Sequence, residues 1–370
     1  MIKLIQKIVV IAMFAIPAIG FMVTPNDYVI KGENRLINQM PVIGAKQYFS
    51  QLVNWYNDRL LFKIFTSEIF YPYFNAYFTD SSFKKNDLMK FSIKGRSGWL
   101  FLGDIHANVY SRHSENIALD EVRLINNISK LKLIRSSFDG KFYFVLGPDK
   151  HGIYPEYMSP FIAAPGKYRY FDKLKPFFVA NDINLIDNYA ILRDAKDPLR
   201  KISLYYADDS HWNRYGAHIA FENVMSQVID NFKPIEYKFK FSKHKNGDLI
   251  RNIKNPEKNI LDNAEITNPL MEDVTVTHLA DKSTRTYKFN SNQIDFFGSK
   301  YVNNSAILDK KIMLVSDSYG IFFTPYVVDY FKTVIHVHRQ TEDPSSIIET
   351  VKKEQPDIVL FINVERSVMD

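Results

Sequence analysis

Residues 311–320 read KIMLVSDSYG: a lysine, an unbroken apolar run, then a cluster of serine, aspartate, serine, tyrosine and glycine. An apolar run of strand length with no polar alternation belongs in a strand buried on both faces, as in the middle of a parallel sheet. The next segment, IFFTPYVVDYF at 321–331, returns to a broadly helical pattern, so residues 316–320 mark a sharp passage from strand to helix. A serine there has its hydroxyl at the carboxyl edge of the sheet, beside the free backbone N–H groups of a helix start. Such donors stabilise an oxyanion, and Ser318 is the candidate nucleophile. Serine and aspartate are also common helix caps, so Ser316, Asp317 and Ser318 each have a structural reading when taken singly.

Working outward, further strand-like runs lie at 141–150 (KFYFVLGPDK), 183–189 (INLIDNY), 332–339 (KTVIHVHR) and 357–364 (DIVLFINV), with helical sequence such as SSIIETVKKEQ between them. Strands alternating with helices predict an α/β fold whose parallel sheet is covered by helices on both faces. Sites in such sheets lie at the carboxyl ends of the strands. Residues 235–300 interrupt the alternation and read as a polar, β-rich insertion. At the other end, FSIKGRSGWLFLGD (91–104) alternates around Gly95 and Gly98 as a hairpin does, and opens a main domain spanning 91–370. Residues 25–90 read as a helical connecting region.

A serine hydroxyl is protonated near neutral pH and needs a base, and the base needs an orienting carboxylate. Residues 205–218, YYADDSHWNRYGAH, supply both: Asp209 and His211, two apart, share a side of an extended segment. Asn213 is placed to cap the helix that follows. Asp208 reads as a solvated turn residue, and His218, inside that helix, as a packing or surface histidine. A metal site built on Asp208, Asp209 and His211 is disfavoured because no second His/Asp cluster with ligand spacing stands nearby, so no metal and no cofactor are expected.

The chain has no cysteine, which excludes disulfides, thiolate metal sites and a cysteine nucleophile. Its net charge of +6 comes without a long basic block, which argues against nucleic acid as a partner. Tyrosine and phenylalanine are abundant, 22 and 29 residues; they read first as core and secondly as the wall of a carbohydrate-facing cleft. At the N-terminus Lys3 and Lys7 precede an uncharged apolar run from Ile8 to Val23. Residues 1–24 therefore read as a signal anchor or signal peptide, basic end in the cytoplasm, with Ala18 and Gly20 offering a cleavage site. The expectation is an exported protein tethered to a membrane.

Seven stretches together resemble the alginate O-acetyltransferase family typified by AlgX and AlgJ, a permuted branch of the SGNH hydrolase-like superfamily. They are GENRL (32–36), WYNDRLLFK (55–63), GRSGWLFLGD (95–104), GPDKHGIYPEY (147–157), DSHW (209–212), GDL (247–249) and SDSYG (316–320). The resemblance implies Ser318 as nucleophile, His211 as base and Asp209 as orienting acid, with Ser316 where the family usually has glycine. It also implies an acetyl group moved through an acetyl-serine onto hydroxyls of a periplasmic polysaccharide. The implied acetyl supplier is a multi-spanning membrane acyltransferase, and the implied tether is the inner membrane. Trp212, Lys150, Tyr154 and Arg366 are candidates for substrate binding, although Trp212 reads more simply as packing behind His211 and the others could stabilise loops. The same triad with water as acceptor would make an esterase or polysaccharide deacetylase, and a vestigial triad would leave a membrane-tethered glycan-binding subunit.

Overall fold

A computed structural model describes residues 29–30, 35–36, 38–41, 43, 48–59, 89–105, 107–114, 117–159, 169–199, 201–250, 260–268, 274–279, 284–287, 298–339 and 344–368. The expected anchor at 1–24 lies outside them, as does most of the helical connecting region. No helix among the described residues is long and apolar enough to cross a membrane.

The chain divides into two compact units, one of residues 1–87 with 156–165, the other of 88–155 with 166–370. In the first, β1 (Val29–Ile30) pairs with β2 (Arg35–Leu36), and α1 spans Tyr48–Arg59. The Asp58 carboxylate near the end of α1 accepts from the backbone N–H and side-chain amide of Asn38 at 2.8 and 2.6 Å.

The second unit opens with the hairpin β3 (Ser92–Lys94) and β4 (Leu100–Leu102), whose turn carries Ser97 and Gly98 at positive φ. Then follow α2 (Val109–Ser114), α3 (Glu121–Arg135), β5 (Lys141–Gly147), α4 (Lys150–Ile153), α5 (Lys175–Ala180), β6 (Leu185–Asp187), α6 (Tyr189–Asp194) and α7 (Arg214–Val228). After these come β7 (Phe239–Ser242), β8 (Asn263–Ile266), β9 (Val274–His278), β10 (Thr284–Tyr287), β11 (Ser299–Asn303) and β12 (Leu308–Ser316). The last elements are α8 (Tyr319–Tyr330), β13 (Phe331–His338), α9 (Pro344–Glu354) and β14 (Ile358–Val364).

Eight strands form one sheet in the order β10-β9-β11-β13-β12-β14-β5-β6. From β13 to β6 all neighbours are parallel, and from β13 through β11 and β9 to β10 they are antiparallel. This corrects the expectation of a parallel sheet: the sheet is mixed, because β9, β10 and β11 are added to its edge. Part of the region read as an insertion thus builds the sheet itself, while β7 and β8 pair separately.

Alternation along the strands sorts the core. Met313 and Val315 of β12, with Phe142 and Phe144 of β5 and Val359 of β14, pack with Leu124, Ile128 and Leu131 of α3 on one face. The spacing of those α3 residues puts them on one side of that helix, and Asp120 caps it by accepting from the N–H of Arg123. Ile312, Leu314 and Ser316 point to the opposite face. There α7 and α8 pack together, Phe221 of α7 lying 5.4 Å from Phe323 of α8 between ring centroids.

The strands on either side of β12 are β13 and β14, the next two in the chain. Leaving β12 the chain moves to one side, then returns across it to the other. That reversal opens a crevice beyond the carboxyl end of β12, where the order of an open α/β sheet favours a ligand. Residue 318 sits there.

Candidate active site

The turn after β12 is held by Asp317. One carboxylate oxygen accepts from the N–H of Tyr319 at 3.0 Å and the other from Val364 at 2.7 Å, while Asp317 N–H donates to Ile362 O. Asp317 therefore does the capping. Ser318, at the N-cap position with φ −59° and ψ −17°, makes no cap hydrogen bond with its side chain, and its hydroxyl remains available.

Ser316 fills the usual glycine position with a fully buried hydrogen-bond chain. His336 bridges two hydroxyls, its Nδ1 lying 2.9 Å from Thr324 Oγ1 and its Nε2 2.7 Å from Ser316 Oγ, while Gly320 O and Asp317 O lie 2.9 Å from those same hydroxyls as acceptors. Burial holds His336 down at about 3, so the imidazole is neutral between them. Gly320 is part of the fit: a Cβ there would lie 2.0 Å from Ser316 Oγ.

The second half of the site comes from residues 205–212, just before α7. Asn213 caps α7 by accepting from the N–H of Gly216 at 3.0 Å and donates to Ser203 O and Asp262 O. This fixes the segment at its helix end. Upstream, Lys150 Nζ lies buried and donates to the carbonyls of Tyr206, Ala207 and Asp209 at 3.1, 3.2 and 2.7 Å. Burial lowers Lys150 to about 7 against the opposing pull of Asp209, Asp248, Asp208 and Asp262.

These constraints bring together the three residues expected from the sequence. His211 Nδ1 lies 2.6 Å from Asp209 Oδ1, and His211 Nε2 lies 2.7 Å from Ser318 Oγ, across 107 positions of chain. With Nδ1–H donated to the carboxylate, Nε2 is the acceptor for the serine proton. Burial pushes Asp209 up, but the hydrogen bond and charge of His211, with N–H donors from Asp248 and His211, hold it well below the usual carboxylate range. The arrangement joins a carboxylate, an imidazole and a hydroxyl in one line, the geometry of proton transfer from an attacking oxygen.

Of the first backbone donors after β12, those of Tyr319 and Gly320 are taken by Asp317. The N–H of Ser318 itself has no hydrogen-bond partner among the described residues. The expectation of several free donors at the helix start is thereby narrowed to that one.

The four substrate-binding candidates have other duties. Trp212 is fully buried, its indole N–H donating to Tyr319 O at 3.1 Å, and has no face left for a sugar. Lys150 is spent on the three carbonyls. Tyr154 is buried against Trp99, its hydroxyl accepting from the N–H of Leu204 at 3.0 Å. Arg366 pairs with Asp149 through Nη1 and lies 5.5 Å from the Tyr319 ring centroid. All four hold the frame of the site. Asp208 is also corrected: it is fully buried, and its carboxylate meets His244 Nδ1 at 2.7 Å.

Asp248 was not singled out by sequence. Its N–H donates to Asp209 Oδ2 at 2.9 Å, and its carboxylate accepts from the N–H and hydroxyl of Ser210 at 2.7 and 2.6 Å. Its signal was the GDL stretch. Gly247 lies so close that a Cβ there would be 2.1 Å from Asp208 O, so the loop needs glycine to reach the site.

Residues 93–308 match the family model described as SGNH hydrolase-like domain, acetyltransferase AlgX. The chain belongs to this family. For this AlgX-family chain the match includes Asp209 and His211 and ends before Ser318. No curated protein matches it. Among solved structures it is similar to Bacillus cereus PatB1 with a sulfonyl adduct, with a TM-score of 0.55 and 16% identity over 76% of this chain and 97% of that one. A DHHW family protein from Eubacterium siraeum gives a TM-score of 0.51 and 16% identity over 76% and 96%. The O-acetyltransferase domain of Pseudomonas putida AlgJ gives 0.46 and 14% over 75% and 92%. The first two share the fold with this AlgX-family chain, and membership makes acyl transfer its class of chemistry.

Proposed function

We propose that this protein is an O-acetyltransferase in which Ser318 carries the acetyl group from a donor to a hydroxyl of an extracytoplasmic polysaccharide. The observation that carries the reading is the continuous line Asp209–His211–Ser318, ending on a serine oxygen that caps nothing. As Ser318 Oγ attacks the acetyl carbonyl, its proton passes to His211 Nε2 and on to the departing group. In the second half an acceptor hydroxyl gives its proton to the same nitrogen and attacks the acetyl-serine, and Ser318 recovers a proton as the new ester leaves. Asp209 stays ionised and offsets the charge on the imidazolium. The N–H of Ser318 is the donor at hand for the carbonyl oxygen.

On this reading the protein works in the periplasm, tethered through residues 1–24 to the inner membrane. A multi-spanning membrane acyltransferase supplies the acetyl groups. The family and the presence of both an exported-type N-terminus and a serine–histidine–aspartate line support it.

The test is mass spectrometry of the protein mixed with 4-nitrophenyl acetate, with and without an oligosaccharide. The expected result is acetyl on Ser318 that is lost to the oligosaccharide faster than to water. Acetate as the sole product makes the protein an esterase, and absence of acetyl on Ser318 removes the mechanism.

A further inference from the structure

Asp208 and Asp209 lie in the turn and bend enclosed by the antiparallel bridge between Tyr205 and Trp212, and each carboxylate holds a different histidine. Asp209 holds His211; Asp208, fully buried, holds His244 through Nδ1 at 2.7 Å. The loop carrying His244 is fixed by two further contacts, the His244 N–H donating to Asp262 Oδ1 at 2.8 Å and the close pass of Gly247 over Asp208. The ring is thus oriented from one edge. Its other nitrogen, Nε2, has no hydrogen-bond partner among the described residues, and about a quarter of the side chain, 23%, is exposed.

The two histidines are joined by a row of rings. His244 lies 4.2 Å from Tyr206 between centroids, Tyr206 5.9 Å from Phe322, and Phe322 5.7 Å from His211. Phe322 is partly exposed, one turn along α8 from Ser318. Tyr206 is 94% buried, 6% remaining exposed, yet its hydroxyl takes no hydrogen bond from any described residue. The partly exposed rings of His211, Phe322 and His244, backed by the buried Tyr206 with its unpartnered phenol, make the kind of wall on which a sugar ring rests while its hydroxyls are bound.

We infer that the acceptor glycan lies along the row His211, Phe322, Tyr206 and His244, and that His244 Nε2 and the Tyr206 hydroxyl bind hydroxyls of a pyranose neighbouring the one acetylated. This rests on the transferase reading above and assigns its acceptor subsite. With Nδ1–H given to Asp208, His244 presents Nε2 as a hydrogen-bonding atom for a sugar hydroxyl, already oriented before the sugar arrives, which limits the entropy lost on binding. A purely structural His244 would serve only to pair the buried Asp208.

The two accounts differ in one ratio. Wild type, His244→Gln and Tyr206→Phe are each given 4-nitrophenyl acetate with cellopentaose or chitopentaose, and acetylated oligosaccharide is divided by acetate released in the same reaction. That quotient reports how acetyl-Ser318 partitions, whatever the rate of its formation. It should fall about tenfold or more in His244→Gln and several-fold in Tyr206→Phe, through a raised acceptor KM. An unchanged quotient in folded variants overturns the subsite and leaves the transferase reading standing. Wild type that yields acetate alone with both sugars sinks the transferase reading, and this inference falls with it. Should His244→Gln fail to fold, wild type answers alone: a saturating oligosaccharide should slow carbethoxylation of His244 by diethylpyrocarbonate several-fold, and an unaltered rate overturns the proposal.

Discussion

The indole N–H of Trp212 donates to the main-chain carbonyl of Tyr319 at 3.1 Å, and the hydroxyl of Tyr319 donates back to the main-chain carbonyl of Ser210 at 3.0 Å. Trp212 follows the base and Tyr319 follows the nucleophile. Each side chain thus reaches across to the backbone of the other's segment, and their rings pack 4.7 Å apart. This cross-brace ties together two segments that share no strand, and it sets the separation of His211 and Ser318.

Removing one strap while keeping the ring should show this. Tyr319→Phe is expected to lower kcat about tenfold to a hundredfold with KM for the acetyl ester little changed, since a small misplacement of reacting atoms costs on that scale. Circular dichroism should match wild type. A fall in KM effects alone, or no effect, would count against the brace.

Asp209→Asn should keep the shape of the site and lose the tautomer. An amide donating to Nδ1 leaves the proton on Nε2, where it faces Ser318. Ester turnover should drop by roughly 10⁴, about as far as in Ser318→Ala. Stopped-flow release of 4-nitrophenol reads both.

Lys150 makes stability depend on pH in a direction that can be worked out. The folded chain releases this proton near about 7, against an ordinary 10.5, so between those values the unfolded chain binds more protons and stability rises with pH. Below about 7 the burial cost is present in full. The Tm of wild type minus that of Lys150→Met should therefore grow from pH 7 to pH 9; a flat difference would show that Lys150 keeps its proton.

Asp329, on α8, has the opposite sign. Burial raises it to about 7 from an ordinary 3.8, despite the hydrogen bond from the Tyr237 hydroxyl. The folded chain keeps the proton longer, so this stabilisation is complete below 3.8 and is lost as pH rises through 7. The Tm gain of Asp329→Asn over wild type should increase from pH 4 to pH 7 and then level off in thermal melts.

Gly320→Ala should destabilise the nucleophile turn by roughly 1–3 kcal/mol, the usual cost of forcing atoms into a packed site. The added carbon meets Ser316 Oγ, so the double variant with Ser316→Gly should recover part of the loss. Urea titration of the four proteins measures that coupling.

What could be read from the residues was chemistry at short range. The apolar run 312–315 followed by polar residues implied a strand end, and β12 does end at Ser316; Asp209 and His211 meet as their spacing suggested, but through a bend in which Asp209 Oδ1 also accepts the His211 N–H, not along an extended segment. Sheet membership was less accessible, because β9 alternates like any half-buried strand and nothing local says whose edge it joins. Asp208 illustrates a second limit. It read as a solvated turn residue, because the histidine that draws it into the interior lies 36 residues on.

Motif residues misled for a related reason. Lys150 and Tyr154 are polar groups in a stretch that resembles the family, Arg366 is one near the end of the last strand, and polarity alone does not tell a side chain facing substrate from one facing carbonyls. Lys150 faces three of them. Asp317 was ambiguous between cap and chemistry, and only the coordinates separate it from Ser318.

The strand order has a bearing on how the molecule comes into being. β14, wedged between β12 and β5, is synthesised after every other strand of the sheet. Until it emerges, β5 and β6 have nothing to bond them to the strand that leads to the nucleophile. A chain lacking residues 358–364 would leave one edge of β12 and one edge of β5 without their neighbour.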